Sequence, residues 1–259
     1  MDIPAFKLEI SQSGYALFES VVQAQMLQDL RRDIPKRIAV CREWQTRNGV
    51  GTGMEGAAHH VVGGTDSLND FLCSLYLDDY INAYFGGPYI LNSYGILNNL
   101  PYSSESYRHG QRFHRDVRTF SKNFPLMLNM LVMVDEFTIE NGATKIVPGT
   151  HLTEERPDDE FLDRQTVRTL GKAGSILLFD SNLWHSAAPN LTTSQRMALT
   201  LTFTRPFFKQ QMDYPRLLGE DFPPNERVRQ LLGYNARVPA SYDEWYQPPE
   251  KRMYKPGQG

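Results

Sequence analysis

Between residues 196 and 204 the chain alternates without interruption: Met197, Leu199, Leu201 and Phe203 interleave with Arg196, Ala198, Thr200, Thr202 and Thr204. Successive side chains of a strand point to opposite faces, so this segment has one greasy face and one small, polar face. A one-residue slip would invert both faces, which pins the register of the strand in its sheet. The greasy face is expected to pack outward onto helices and the polar face to line a cavity.

That strand is the last of a series. Extended segments are expected at residues 89–97, 111–117, 126–135, 144–148, 166–170, 174–180 and 197–205, separated by Asn-Gly, Pro-Gly and Gly-Lys-Ala-Gly turns. Segment 126–135 is apolar on both faces except for Asn129, as suits a sheet covered on one side and filled on the other. Many short strands without intervening helices imply a sandwich or barrel.

Before Tyr89 the pattern is mainly helical. A short strand is expected at 14–22, then a helix at 23–34 carried by Met26, Leu27, Leu30 and Ile34 and ended by Pro35. Residues 48–64, glycine-rich and aperiodic, read as a mobile loop, with His59 and His60 as candidates for a lid. A second helix is expected at 68–85, capped by Ser67 or Asp66 and stopped by Gly86-Gly87-Pro88. After Pro206 a short helix near 225–233 and a tail wrapping the barrel are expected, with a tail aromatic shaping the cavity mouth. No repeat or linker divides the chain, so residues 1–259 read as one domain, a core of about 10–205 and an extension of 206–259.

Charge and cysteine content exclude several classes of function. Of 259 residues, 27 are Lys or Arg and 30 are Asp or Glu, a formal charge of −3 that offers no footprint for nucleic acid or an anionic membrane. A small-molecule partner is expected; the oligomeric state is open. Cys41 and Cys73 stand far apart and form neither a disulfide framework nor a zinc motif. Asp2, Lys7 and Glu9 fall where a signal peptide would need an apolar run, and no stretch reaches roughly 18 apolar residues. A cytoplasmic location is the expectation.

Two motifs mislead. Gly51-Thr-Gly53-Met-Glu-Gly56 fits a nucleotide-binding glycine pattern and His114-Arg115-Asp116 fits the start of a kinase catalytic loop. No βαβ unit surrounds the glycines, no lysine follows them before Lys122, and Ser121 stands where the kinase asparagine would fall.

The same His114-Arg115-Asp116 has a better reading. In an extended segment His114 and Asp116 share a face, and a second imidazole from His185 would complete a two-histidine, one-carboxylate group for a divalent iron with open positions. His185 follows the segment Ser175-Ile-Leu-Leu-Phe-Asp180, where a barrel strand reaches its mouth. Arg196 lies beyond the turn-rich Pro189-Asn-Leu-Thr-Thr-Ser194, which lets the chain double back toward the same mouth. Its guanidinium suits two-pronged capture of a carboxylate. His109 and His151 are read as structural.

Together His114-x-Asp116, Glu140-Asn-Gly-Ala-Thr-Lys-Ile-Val-Pro-Gly-Thr-His151, Gly174-Ser-Ile-Leu-Leu-Phe-Asp180, His185 and Arg196 resemble the phytanoyl-CoA dioxygenase family of iron(II)- and 2-oxoglutarate-dependent oxygenases. The resemblance covers roughly residues 10–205. It implies a mainly β fold with flanking α-helices: a double-stranded β-helix, the jelly-roll or cupin-like barrel, with N-terminal helices packed on the major sheet. It further implies His114, Asp116 and His185 as iron ligands and Arg196 as partner of the far carboxylate of 2-oxoglutarate, with Asn129 a weaker candidate for contact with that cosubstrate. Dioxygen is the co-reactant and ascorbate a candidate reductant. The expected activity is hydroxylation of an aliphatic C–H of a metabolite with release of succinate and carbon dioxide. Halogenating relatives replace the aspartate by a small residue, so Asp116 argues against that chemistry. Arg115 stands where many members have glutamine. Arg112, Arg115 and Arg118 are candidates for contact with an anionic substrate, and the substrate itself is open. The rival readings are a non-catalytic cupin-like binding protein and a barrel metalloenzyme of non-oxidative chemistry.

Overall fold

A computed structural model describes residues 1–102, 112–222 and 225–258. His109 and Gln111 lie outside the described residues. The N-terminal part builds α1 (Ile3–Ser13), β1 (Tyr15–Phe18), α2 (Ala24–Arg47), β2 (Ala57–His59), α3 (Ser67–Cys73) and α4 (Asp78–Phe85). The strands β3 (Ile90–Asn99), β4 (Met127–Met133), β5 (Lys145–Ile146), β6 (Val167–Arg168), β7 (Ile176–Asp180), β8 (His185–Ser186) and β9 (Arg196–Thr204) follow, with α5 (Asp159–Gln165) before β6. The tail carries α6 (Tyr214–Leu218), α7 (Glu226–Leu231) and α8 (Tyr242–Trp245). Among the described residues no helix is long and apolar enough to cross a membrane.

Two antiparallel sheets form. The larger runs β1-β7-β4-β9-β3-β2 and the smaller β6-β5-β8. From β3 onward the chain passes back and forth between them, with His114 joining the small sheet by a bridge to His185. This is the expected double-stranded β-helix, a jelly-roll closed by two facing sheets.

The alternation of β9 is realised. Leu199, Leu201 and Phe203 join Leu128, Met130 and Val132 of β4 in an outer cluster roofed by Leu27, Leu30 and Ile34 of α2 and Leu68 and Phe71 of α3. On the other face Ala198 joins Leu131, Met133, Phe137, Ile146, Leu177 and Phe179 in a smaller cluster between the sheets. Of the tail aromatics, Tyr214 and Tyr234 join the outer cluster, and Trp245 and Tyr246 are exposed.

Several element boundaries differ from expectation for identifiable reasons. Helix α2 does not end at Pro35 but continues to Arg47. Its apolar stripe extends past the proline through Ile38 and Cys41 onto the outer cluster. Arg37 pairs with Asp66, and Gln45 donates to the Ala57 carbonyl (2.9 Å), so tertiary contacts offset the one helical hydrogen bond that Pro35 cannot make. The expected 68–85 helix is two helices, because Leu75 (φ 51°) and Leu77 (φ 61°) take left-handed conformations. Asp78 opens the second helix and accepts from Tyr89 and Arg227. Asp66 caps α3 through Asn69 N–H, and Gly86 ends α4 in the left-handed conformation, both as expected. The aperiodic loop at 48–64 includes an edge strand, β2, paired with β3.

Candidate metal centre

The expected strand at 111–117 is not a continuous strand. His114 makes an isolated antiparallel bridge to His185, His114 N–H donating to His185 O (2.9 Å) and His185 N–H to His114 O (3.0 Å). Beyond it, the Ser181 carbonyl and the Asn182 side chain take over the work of a sheet ladder. Asp116 N–H donates to Ser181 O (3.1 Å), and the Asn182 amide donates to the carbonyls of Val117 (2.9 Å) and Thr119 (3.1 Å) while accepting from Ser121 N–H and Oγ (both 3.0 Å). Asn182 is 1% exposed. Sequence reasoning missed it, and its partners, one to five residues beyond Asp116, belong to no recognisable motif and give no sequence signal.

The bridge sets the two imidazoles side by side, ring centroids 4.4 Å apart, with Asp116 between their inner edges. His114 Nε2 lies 3.6 Å from Asp116 Oδ1 and His185 Nε2 lies 3.7 Å from Asp116 Oδ2. One ligand atom from each of the three residues falls within 4.8 Å of the others. Each imidazole is oriented in the same way: His114 Nδ1 is 2.9 Å from Arg112 O and His185 Nδ1 is 2.9 Å from Leu183 O. A carbonyl can only accept, so each Nδ1 carries the proton and each Nε2 presents a lone pair to the common centre.

The electrostatics suit a cation. Burial pushes the His185 imidazole's pKa down, by more than Asp116 lifts it, and keeps the ring neutral. The Asp116 carboxylate lifts His114, against the burial that lowers it. Burial would raise Asp116, but the two imidazoles and the Asn129 amide outweigh it and hold the carboxyl below its usual range. The two histidines differ in access: the His114 side chain is 42% exposed and that of His185 9%.

Asn129 projects from the inner face of β4 and donates to Asp116 Oδ2 (2.8 Å). Its observed contact is therefore with the carboxylate, and its own Oδ1, buried, has no partner among the described residues. Arg196 begins β9 on the same inner face, 5% exposed, its guanidinium 3.7 Å from the Phe137 ring centroid. Its Nε and Nη1 are buried without acceptors among the described residues, and burial, opposed by Asp135, pushes its pKa down to about 10. A desolvated guanidinium with two unused donors is arranged for an anion. Phe137 belongs to the inner cluster with Phe179, whose ring packs edge-on against His185 at 5.0 Å, which links the arginine to the histidine through one apolar wall.

The other candidate residues fall elsewhere. Arg112 and Arg118 are exposed. Arg115 turns away from the ligands and is buried, so it does not meet a substrate at the centre. His59 lies on β2, and His60 Nδ1 is 3.1 Å from Tyr214 Oη. His151 is structural, its Nε2 3.3 Å from Ser11 O and its ring seated over Gly14, where any Cβ would collide with it.

Fold and donor set define a jelly-roll protein that holds two imidazoles and one carboxylate on one face of an open centre. The comparisons agree. The model of the phytanoyl-CoA dioxygenase family matches residues 10–198, and the chain belongs to that family. The uncharacterized protein Mb1539 of Mycobacterium bovis is 42% identical over 166 residues, 63% of this chain and 61% of its own length. The dioxygenase cdmA of Talaromyces verruculosus is 28% identical over 183 residues, 67% of this chain and 59% of its own. The chain thus spans about three fifths of the length of these curated relatives. Among solved structures, EctD from S. alaskensis with bound Fe superposes with a TM-score of 0.64 at 19% identity, covering 79% of this chain and 76% of that one. The non-heme alpha ketoglutarate dependent epimerase SnoN gives 0.60 at 17% identity, covering 78% and 82%. These likenesses show the fold.

Proposed function

We propose that the protein is an iron(II)- and 2-oxoglutarate-dependent dioxygenase that hydroxylates an aliphatic C–H of a small-molecule metabolite, with release of succinate and carbon dioxide. The observation that carries this reading is the convergence of His114, Asp116 and His185 within 4.8 Å, with a buried arginine on β9 whose Nε and Nη1 find no acceptor among the described residues. Family membership supports it. So does the EctD structure with 2-oxoglutarate and 5-hydroxyectoine, which shares the fold at a TM-score of 0.63.

The residues fit both groups. Two imidazoles with Nε2 turned inward, neutral once a metal is bound, and one ionised carboxylate form the donor set of a non-heme iron(II) site with open positions. Bound there, iron(II) supplies the activation of dioxygen coupled to oxidative decarboxylation of the cosubstrate. The chain's own residues do the rest. Asn129 holds the Asp116 carboxylate by its Oδ2, and the carbonyls of Arg112 and Leu183 keep both Nδ1 protons in place. Arg196 takes the far carboxylate of 2-oxoglutarate, a pairing its buried position makes strong. Phe137, Phe179 and Leu131 keep water from the wall between the arginine and the histidines.

Asp116 fills the third donor position, which favours hydroxylation over halogenation. The epimerase SnoN shows that this fold also serves another outcome. The test is incubation of the protein with iron(II), 2-oxoglutarate, ascorbate and a panel of metabolites in air, reading succinate and product mass. Substrate-dependent succinate with a product heavier by one oxygen atom is expected. A product of unchanged mass would replace hydroxylation by epimerisation, and no succinate above the metal-free control, with substrates or without, would leave a binding protein or a non-oxidative metalloenzyme.

A further inference from the structure

His114 and His185 face the centre, and their chain neighbours Arg115 and Trp184 therefore face the other way, behind the bridge. There the Arg115 guanidinium, 5.1 Å from the Trp184 ring centroid, stacks on the indole. Both of its terminal nitrogens are used on the turn at residues 150–154, while Nε is buried without a partner among the described residues: Nη1 donates to Glu154 O (3.0 Å) and Nη2 to Thr150 O (2.7 Å) and Thr153 O. That turn is itself tied to the second histidine's segment, since Trp184 N–H donates to Thr150 Oγ1 (3.1 Å) and Val147 N–H to Trp184 O (2.9 Å). It is anchored at its other end by His151 against α1. Arg115 is 7% exposed, and no carboxylate is among its hydrogen-bond acceptors, so its charge is used on carbonyl dipoles and an aromatic face.

We propose that Arg115 and Trp184 are positioning residues that lock the His114–His185 bridge from behind and so hold the metal ligands at their spacing before any metal arrives. The bridge needs such a device. Among the described residues it consists of two hydrogen bonds, beyond which the N–H groups of Asp116 and Val117 reach only the Ser181 carbonyl, and two-residue β8 is too short to hold register by itself. A cation–π contact adds only modest attraction at an exposed site and more when desolvated, as here. Lysine is not an equivalent replacement, because its compact ammonium lacks the planar fork that spans Thr150, Thr153 and Glu154 while stacking on the indole. The inference rests on the metal-site reading for its purpose, but the lock is a property of the metal-free chain.

The experiment is therefore amide hydrogen exchange on the metal-free protein. In Arg115→Lys and Trp184→Leu, the amides of His114 and His185 are expected to exchange at least about tenfold faster than in the wild type, while the amides of β9 keep their protection. Trp184→Phe, which keeps an aromatic face, should recover most of it. Arg156→Ala is the control: Arg156 also lies over Trp184, at 5.5 Å, but binds none of the 150–154 carbonyls, and it should leave both histidine amides unchanged. Unchanged exchange in Arg115→Lys, or an equal loss of protection across β9, would overturn the lock. Cobalt(II) titration of the same proteins then reads the consequence, a loss of affinity of about 10- to 100-fold in Arg115→Lys. Equal cobalt affinity would overturn a positioning role. Wild-type protein that takes up no cobalt would overturn the proposed function instead, and the exchange result would still decide the lock.

Discussion

On the outer face of the six-stranded sheet, β4 and β9 present Leu128, Met130, Val132, Leu199, Leu201 and Phe203 to helices that include α2 and α3. On the inner face, the same two strands present Asn129, Arg196, Thr200 and Thr202 along with a few apolar residues. The outer face is continuous hydrocarbon, and its cost of disruption is a cost in stability. Among the described residues, the inner face leaves polar atoms buried without partners, Asn129 Oδ1 and Arg196 Nε and Nη1 among them, a state that lowers stability unless a ligand completes it. The lesson is that one strand can serve both ends because its side chains alternate, and that stability and chemistry are separable by parity along it.

Substitutions on the two faces should therefore fail in different ways. Arg196→Ala, on the inner face, is expected to weaken 2-oxoglutarate by about 2–5 kcal/mol, the range for removing one member of a buried charged pair, with little change in denaturation midpoint; calorimetric titration beside a urea melt reads both. Leu201→Ala, on the outer face, should do the reverse, costing about 2–5 kcal/mol of stability while the folded fraction binds 2-oxoglutarate normally. A loss of cosubstrate affinity in Leu201→Ala would break the separation. Asn129→Ala should lower metal affinity by about 10- to 100-fold, because Asp116 Oδ2 loses its orienting donor.

The smallest expected effect is one of pH, and it lies on the outer side. Asp33, on α2, is held well below the usual carboxylate range by the Arg32 guanidinium, with Lys36 and Ser67 also bonded to it. Its folded-state pKa is depressed, so the stability it contributes is complete above the unfolded value of about 4 and is lost as pH falls through and below it. Both Arg32 and Lys36 are mostly exposed, which limits the gain. Thermal melts of Asp33→Asn should show a flatter decline than the wild type below about pH 5, and an identical decline would remove Asp33 from the account.

Much of this division was legible in the sequence, and the parts that were not have a common cause. The alternation at residues 196–204, the doubly apolar 126–135 and the His114-x-Asp116, His185 set are local or periodic, and the structure realises each of them. What escaped depends on partners far along the chain. Pro35 punctuates a sequence, but helix α2 runs through it because Arg37 finds Asp66 and the apolar stripe continues. The helix break at Leu75 and Leu77 carries no glycine or proline to announce it. The segment around His114 looks like a strand by its alternation, yet its backbone is held by Asn182 and its outward side chain by the 150–154 turn. Asn129 was legible as an inner-face residue; that it grips Asp116 was not, because register across the barrel decides it.

The central claim is that His114, Asp116 and His185 hold iron(II) with 2-oxoglutarate beside them. Anaerobic titration of the metal-free protein with iron(II) and then 2-oxoglutarate, followed by visible absorption, tests it most directly. A weak charge-transfer band is expected in the wild type and none in Asp116→Ala with its fold intact; a band of full intensity in Asp116→Ala, or none in the wild type, would contradict the assignment.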